Sequence, residues 1–66
     1  MYPNLYAELA RRGKTKRDLA AMISMPYSTL LDKLNGRTQF TLAETVKIKE
    51  AIKSDLAIDI LFFTKN

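Results

Sequence analysis

A proline in the middle of the chain separates two short helical patterns. Apolar residues at helical spacing lie on both sides of it, namely Leu19, Ala20, Ile23, Leu30 and Leu34. Because the residue before a proline disfavours helical backbone, the first helix should end near Ile23 or Ser24, and Pro26 can open the next. A link as short as Ser24-Met25-Pro26 makes two short helices cross steeply, and the small Ala20 allows a close approach. The pattern predicts a helix-turn-helix unit.

Two helices are predicted before Pro26. Asn4 can cap a first helix of about Asn4–Arg12, and Gly13 suits the left-handed position that ends it. Thr15 follows as the cap of the second helix, with Asp18 three residues later as a capping box.

Three helices are predicted from Pro26 onward. Asn35-Gly36 ends the third helix, and Thr41 with Glu44 forms a capping box at the start of a fourth helix of about 41–53. The apolar positions of this fourth helix are Leu42, Val46, Ile48 and Ile52. Apolar residues alternate further on, but a single strand would have no partner, so we expect a short fifth helix over about 57–62.

The composition supports an all-α fold. The 66 residues suffice for one small domain, and 47% hydrophobic with 27% charged residues is close to the globular average. Two glycines and two prolines are too few for the many tight turns of a small barrel. The prediction is a bundle of five short helices that forms a single domain over residues 1–66.

The net charge of +4 is concentrated in the first part of the chain. Residues 1–40 contain seven basic and three acidic side chains, whereas residues 41–66 contain four of each. Such a half-chain suits a polyanionic partner, although a solvated basic surface explains the charge equally well.

The sequence lacks the residues that several kinds of catalytic and metal site require. Cysteine and histidine are absent, which removes the commonest nucleophile–base pairs and zinc ligands. Asp55 and Asp59 alone make a poor metal site, so no enzymatic activity, metal or cofactor is expected. No segment has the features of a targeting signal or a membrane span, and we expect a cytoplasmic protein.

Four motifs resemble one family of DNA-binding proteins. They are Lys16-Arg17-Asp18-Leu19-Ala20, Ser28-Thr29-Leu30, Lys33-Leu34-Asn35-Gly36-Arg37 and Phe40-Thr41-Leu42 with Glu44. Over Leu5 to Phe63 the chain resembles the Cro/C1-type (XRE) helix-turn-helix family, in particular its small prophage repressor-like members. The resemblance implies a lambda-repressor-like domain that binds duplex DNA and regulates transcription.

The resemblance also implies a division of roles. The third helix, about 26–35, would lie in the major groove, where Tyr27, Ser28, Thr29 and Asp32 would meet base edges. The residues that would hold phosphates are Lys16, Arg17, Lys33, Asn35, Arg37 and Thr38. The chain has Lys16 where the family often has Gln, Ser24 where it usually has Gly, and Pro26 where it commonly has a capping Ser.

The third helix carries a complete apolar stripe made of Tyr27, Leu30, Leu31 and Leu34. We assign Leu30 and Leu34 to the core, Ser28 and Asp32 to the outward face, and Tyr27 and Leu31 to the boundary. Leu31 either packs in the core or meets a thymine methyl group. Asp32 either accepts from a cytosine amine or pairs with a neighbouring cation.

Adjacent aromatic residues near the C-terminus suggest a second contact. A helix cannot bury both Phe62 and Phe63 on one face, so one belongs in the core and the other is a candidate homodimer contact.

An alternative function is a protein-interaction module, an antitoxin or antirepressor that keeps the fold without binding DNA. The basic residues that flank the third helix favour DNA.

Overall fold

Five short helices make up residues 1–65, the part of the chain that the structure, a computed structural model, describes. They are α1 (Pro3–Arg11), α2 (Lys16–Met22), α3 (Tyr27–Leu34), α4 (Leu42–Ile52) and α5 (Ile58–Leu61). No strand occurs within this range, so the predicted all-α bundle of five helices is confirmed. Every helix in it is too short or too polar to cross a lipid bilayer.

Reciprocal side-chain caps begin two of the helices, as predicted. The Thr15 hydroxyl accepts from the Asp18 N–H, and the Asp18 carboxylate accepts from the Thr15 N–H. The same box joins Thr41 and Glu44 at the start of α4. Each box satisfies two N–H groups that a helix start would otherwise leave without a partner.

Two predicted helix starts are wrong by one or two residues. Tyr2, not Asn4, precedes α1, whose first residue is Pro3. The Asn4 amide instead donates to the Ile60 carbonyl at 2.8 Å, because the tertiary fold brings α5 within its reach. Pro26 is the residue before α3 rather than its first residue, with an extended ψ of 139°.

Helices α1 to α4 all end in the same hydrogen-bonded motif. A residue with positive φ follows each helix, and the two N–H groups at and after it donate back to the last turn. Gly13 and Gly36 occupy this position after α1 and α3, as predicted. Ser24 and Lys53 occupy it after α2 and α4, with φ of 55° and 53°.

The core lies where all five helices meet. Its largest completely buried side chains are Leu5, Leu19, Leu30, Leu34, Ile48 and Leu61. The predicted core face of α4 is partly wrong, because Leu42 is 74% exposed and Val46 is also exposed. Thr45 is buried in their place beside Ile48 and donates its hydroxyl to the Leu42 carbonyl, which satisfies its polar atom.

A buried carboxylate joins α1 to the end of α4. Glu8 accepts from the Ser54 hydroxyl at 2.5 Å and pairs with Arg11 at 2.6 Å. Arg12 lies beside the same carboxylate and also donates to the Ile52 carbonyl. The Ser54 hydrogen bond, followed by the two guanidinium charges, holds the pKa of Glu8 below its ordinary value, although burial acts in the opposite direction.

Three aromatic rings close the other end of the bundle. Tyr2, Phe40 and Phe62 meet edge to face, with ring centroids 5.2 to 6.0 Å apart. Phe62 therefore packs against the core, whereas Phe63 is half exposed. The predicted split between these two adjacent residues is confirmed.

Candidate nucleic-acid interface

The unit formed by α2, the following turn and α3 is held by its backbone and by one small side chain. Ala20 is 4% exposed, as predicted, and its carbonyl accepts from the Met25 N–H at 2.9 Å. Ser24 takes the left-handed conformation. In the helix-turn-helix family that the sequence resembles, this position usually holds glycine. The turn therefore forms without glycine, with Ser24 in a conformation that costs a residue with a Cβ about 1–2 kcal/mol.

Helix α3 has one face in the core and one face toward solvent. Leu30 and Leu34 are completely buried, while Ser28 and Thr29 are exposed. Tyr27 and Leu31 are intermediate, so the predicted orientation of the helix is confirmed, with both residues at the boundary. Helix α3 can therefore offer polar groups outward without losing its packing.

Two cations at the start of α2 are oriented by aromatic rings. Arg17 lies over the Tyr27 ring, with Cζ 4.2 Å from the ring centroid, and Lys16 lies over the Tyr6 ring at 4.9 Å. A guanidinium over the face of a ring is held there by a cation–π interaction, and Arg17 nevertheless remains exposed to solvent. The Arg17–Tyr27 contact also joins the first turn of α2 to the first turn of α3.

The loop after α3 carries three of the predicted phosphate contacts on its surface. Asn35, Arg37 and Thr38 are all exposed. The N–H groups of Arg37 and Thr38 donate to the Asp32 carbonyl at 2.9 and 3.4 Å, so the loop backbone is tied to the last turns of α3. The Arg37 guanidinium lies 3.6 Å from the Asp32 carboxylate, which is the intramolecular pairing that the sequence left open.

Lys33 has a different environment from the other predicted phosphate contacts. Its side chain is only 12% exposed, and its ammonium lies 3.1 Å from the Glu44 carboxylate and 3.1 Å from the Gln39 carbonyl. The Thr41 N–H and Lys33 together hold the pKa of Glu44 below its ordinary value. Lys33 thereby fastens α3 to the start of α4, and its charge is already partnered.

The basic cluster between Arg11 and Arg17 divides into two groups. Arg11 and Arg12 pair with the buried Glu8 carboxylate, although the Arg11 side chain itself is 74% exposed. Lys14, Lys16 and Arg17 form no ion pair within residues 1–65. Within this cluster, the cations without an ion-pair partner in the described residues are therefore the three nearest the start of α2.

Two contacts between basic side chains and their partners could not be predicted from the sequence. Arg17 and Tyr27 are ten positions apart and belong to different helices, so no spacing rule pairs them. Lys33 and Glu44 are likewise brought together only by the fold. The one sequence signal was charge complementarity, which indicates that partners exist without identifying them.

Metal ligands and related proteins were both searched for. Within residues 1–65, no group of three or more acidic side chains could hold a metal ion. Comparisons with protein-family models, curated proteins and solved structures find no match to this chain.

Proposed function

We propose that the protein is a transcriptional regulator of the phage or prophage type that binds specific duplex DNA, with α3 in the major groove. In this proposal α2 and α3 form the helix-turn-helix of a lambda-repressor-like domain. The observation that carries it is the exposed polar face of α3, which has Arg17 over Tyr27 at the start of the helix and the exposed Arg37 just after its end. Polar groups between flanking cations suit a groove whose base edges form hydrogen bonds and whose backbone is anionic.

The side chains divide into positioning and specifying groups. Ser28, Thr29 and Asp32, with Tyr27 at the edge, would contact base edges. Lys16, Arg17, Asn35, Arg37 and Thr38 would hold phosphates, which set the register but carry no sequence information. Lys33 would support α3 through Glu44, because a phosphate contact would require its ammonium to leave an existing ion pair.

The salt dependence of binding tests this proposal. If Lys16 and Arg17 each neutralise one phosphate, and Arg37 does so only in part because of its pairing with Asp32, the slope of log K against log salt should be about −2 to −3 for one protomer. Fluorescence anisotropy of a labelled random-sequence duplex at low salt measures it. Arg17→Ala should reduce the slope by about 1, whereas Lys47→Ala, which removes an exposed cation from α4, should leave it unchanged.

A flat salt dependence, or no binding at low salt, would overturn the proposal. Selection of bound duplexes from a random pool then tests specificity, and we expect an enriched motif. A half-site repeated with two-fold symmetry would indicate a dimer on the DNA.

We propose that such a dimer forms through the C-terminal region. Phe62 is occupied by Tyr2 and Phe40, which leaves Phe63, with the nearby exposed Ile60, as the contact. Sedimentation equilibrium should give a mass that rises with concentration, and Phe63→Ser should suppress the rise without lowering the melting temperature. A wild type that stays monomeric both alone and on DNA would refute the contact.

A protein-interaction module, such as an antitoxin or antirepressor, is the second candidate. One observation favours it: Leu42 and Val46 form an exposed apolar strip on α4 that the core does not use. This candidate predicts that random duplex fails to bind even at low salt, so the same anisotropy titration separates the two functions.

A further inference from the structure

An acidic side chain lies in the middle of the face that would meet DNA. Asp32 lies one helical turn after Ser28 on the outward side of α3, and its side chain is 48% exposed. A carboxylate there repels phosphates, yet its position keeps it close to the groove. Its nearest cation is Arg37, whose guanidinium is 3.6 Å away and whose side chain is 77% exposed.

The pairing is weak, and the backbone that supports it is firm. An exposed ion pair of this kind stabilises a fold little, because water screens it and two long side chains must be held in place. The Arg37 N–H, in contrast, donates to the Asp32 carbonyl at 2.9 Å, within the motif that ends α3. The guanidinium can therefore leave Asp32 while the backbone of Arg37 remains where it is.

Moving Arg37 to a phosphate has different consequences on different sequences. On any duplex, the move leaves the Asp32 carboxylate without its cation and near a polyanion. Where the facing base is cytosine, the N4 amine donates to the carboxylate and replaces the lost partner. Where the facing group is a guanine or thymine carbonyl oxygen, two acceptors oppose each other and the position is penalised.

We propose that Asp32 and Arg37 form an exchangeable pair that lowers affinity for non-matching DNA. In the free protein, Asp32 and Arg37 form an ion pair. On the matching sequence, Arg37 binds a phosphate instead, and Asp32 accepts a hydrogen bond from a cytosine amine. Asp32 is thus a specificity-determining residue that acts mainly by rejecting wrong sequences. This inference rests on the proposed function, because it requires α3 to lie in the major groove.

Asp32→Asn tests the proposal, since the variant keeps the shape and removes the charge. Its affinity for random duplex should rise by about threefold to fivefold at low salt, from the loss of one like charge near the phosphates. The salt slope should become more negative by about 0.9 as Arg37 gains a phosphate. The ratio of affinities for the selected and the random duplex should fall about tenfold, because Asn both donates and accepts and no longer rejects a carbonyl oxygen.

A matched control separates the local effect from net charge. Asp55→Asn makes the same substitution at an exposed position in the loop between α4 and α5. It should leave both the random affinity and the specificity ratio unchanged. Equal gains in the two variants would overturn the local exchange and leave only a net-charge effect. Thermal melting of both variants verifies folding, and Asp32→Ala, which replaces a poor helix former by a good one, should repeat the fall in specificity.

A double-mutant cycle tests the exchange itself. Arg37→Ala should weaken random binding more in the Asp32→Asn background than in the wild type, by about twofold to fivefold, because in the wild type Arg37 is partly held by Asp32. Equal losses would overturn the exchange. A wild type that binds random duplex but enriches no motif would also overturn it, since no matching sequence would exist. A wild type that binds no duplex at all would instead refute the proposed function, and this inference with it.

Discussion

Replacing Ser24 by glycine should stabilise the protein. Ser24 has a φ of 55°, and its N–H donates to the Ala21 carbonyl at 3.2 Å in the motif that ends α2. The side chain is exposed, and its hydroxyl makes no hydrogen bond within residues 1–65. Ser24→Gly therefore removes a Cβ from a left-handed residue and deletes no hydrogen bond in that part of the chain.

Two opposing effects determine the size of the gain. A residue with a Cβ in the left-handed region costs about 1–2 kcal/mol, which glycine avoids. Glycine also has more freedom in the unfolded chain, which costs about 0.5–1 kcal/mol on folding. The net expectation is a stabilisation of about 0.5–1 kcal/mol, or a rise in Tm of about 2–8 °C for a chain of this size.

Thermal unfolding followed by far-ultraviolet circular dichroism, with urea titrations for the free energy, measures this change. Ala21→Gly is the matched control, because it introduces the same residue at an exposed site within α2, where the backbone is helical. It should destabilise by about 1 kcal/mol. The urea m-value should stay constant in both variants. A Tm for Ser24→Gly equal to or below that of the wild type would refute the account of the turn.

Three further outcomes are expected. Ala20→Leu should overpack the α2–α3 contact and destabilise the fold by about 1–3 kcal/mol in urea titrations; an unchanged midpoint would mean that the helices do not cross there. The pKa of Glu8 is lowered on folding, so the stability that its carboxylate contributes is complete above the unfolded value of 4.5 and is lost as pH falls through the lower folded value. Glu8→Gln should therefore flatten the acid side of the Tm–pH curve, and an unaltered acid side would contradict this. Arg17→Ala should weaken selected and random duplex alike, whereas Ser28→Ala should lower the ratio of the two affinities by about fivefold; if only Tyr27→Ala lowered that ratio, α3 would be rotated from its assigned orientation.

Much of the local structure could be predicted because its causes lie within one turn of helix. The capping boxes at Thr15 and Thr41 need only a hydroxyl and a carboxylate three residues apart. Gly13 and Gly36 end α1 and α3 because glycine alone takes positive φ without strain. The boundary position of Tyr27 also followed from spacing, since a helix that buries Leu30 and Leu34 leaves it at the edge.

The candidate site was only partly predictable from the sequence. The exposed positions of α3 and of the loop after it followed from the apolar stripe and the glycine stop. The partner of each basic side chain could not be predicted, because long side chains pair with whichever group the fold brings near. Lys33 and Arg17 were equivalent as basic residues, yet Lys33 is held by Glu44, whereas Arg17 lies over the Tyr27 ring and remains exposed.

By itself, the sequence determined roughly where the helices are, the capping boxes that begin α2 and α4, the glycines that end α1 and α3, and which face of α3 is apolar, since these depend on neighbours within about four positions. Only the tertiary structure decided which of the apolar residues are buried in the core. Leu42 and Val46 carry as strong a helical pattern as Ile48, but α4 is oriented so that Thr45 faces the core in their place. It also brought Asn4 to α5 and enclosed Phe62 while leaving Phe63 outside. Burial depends on how all the helices pack at once, and a periodic pattern describes only one of them.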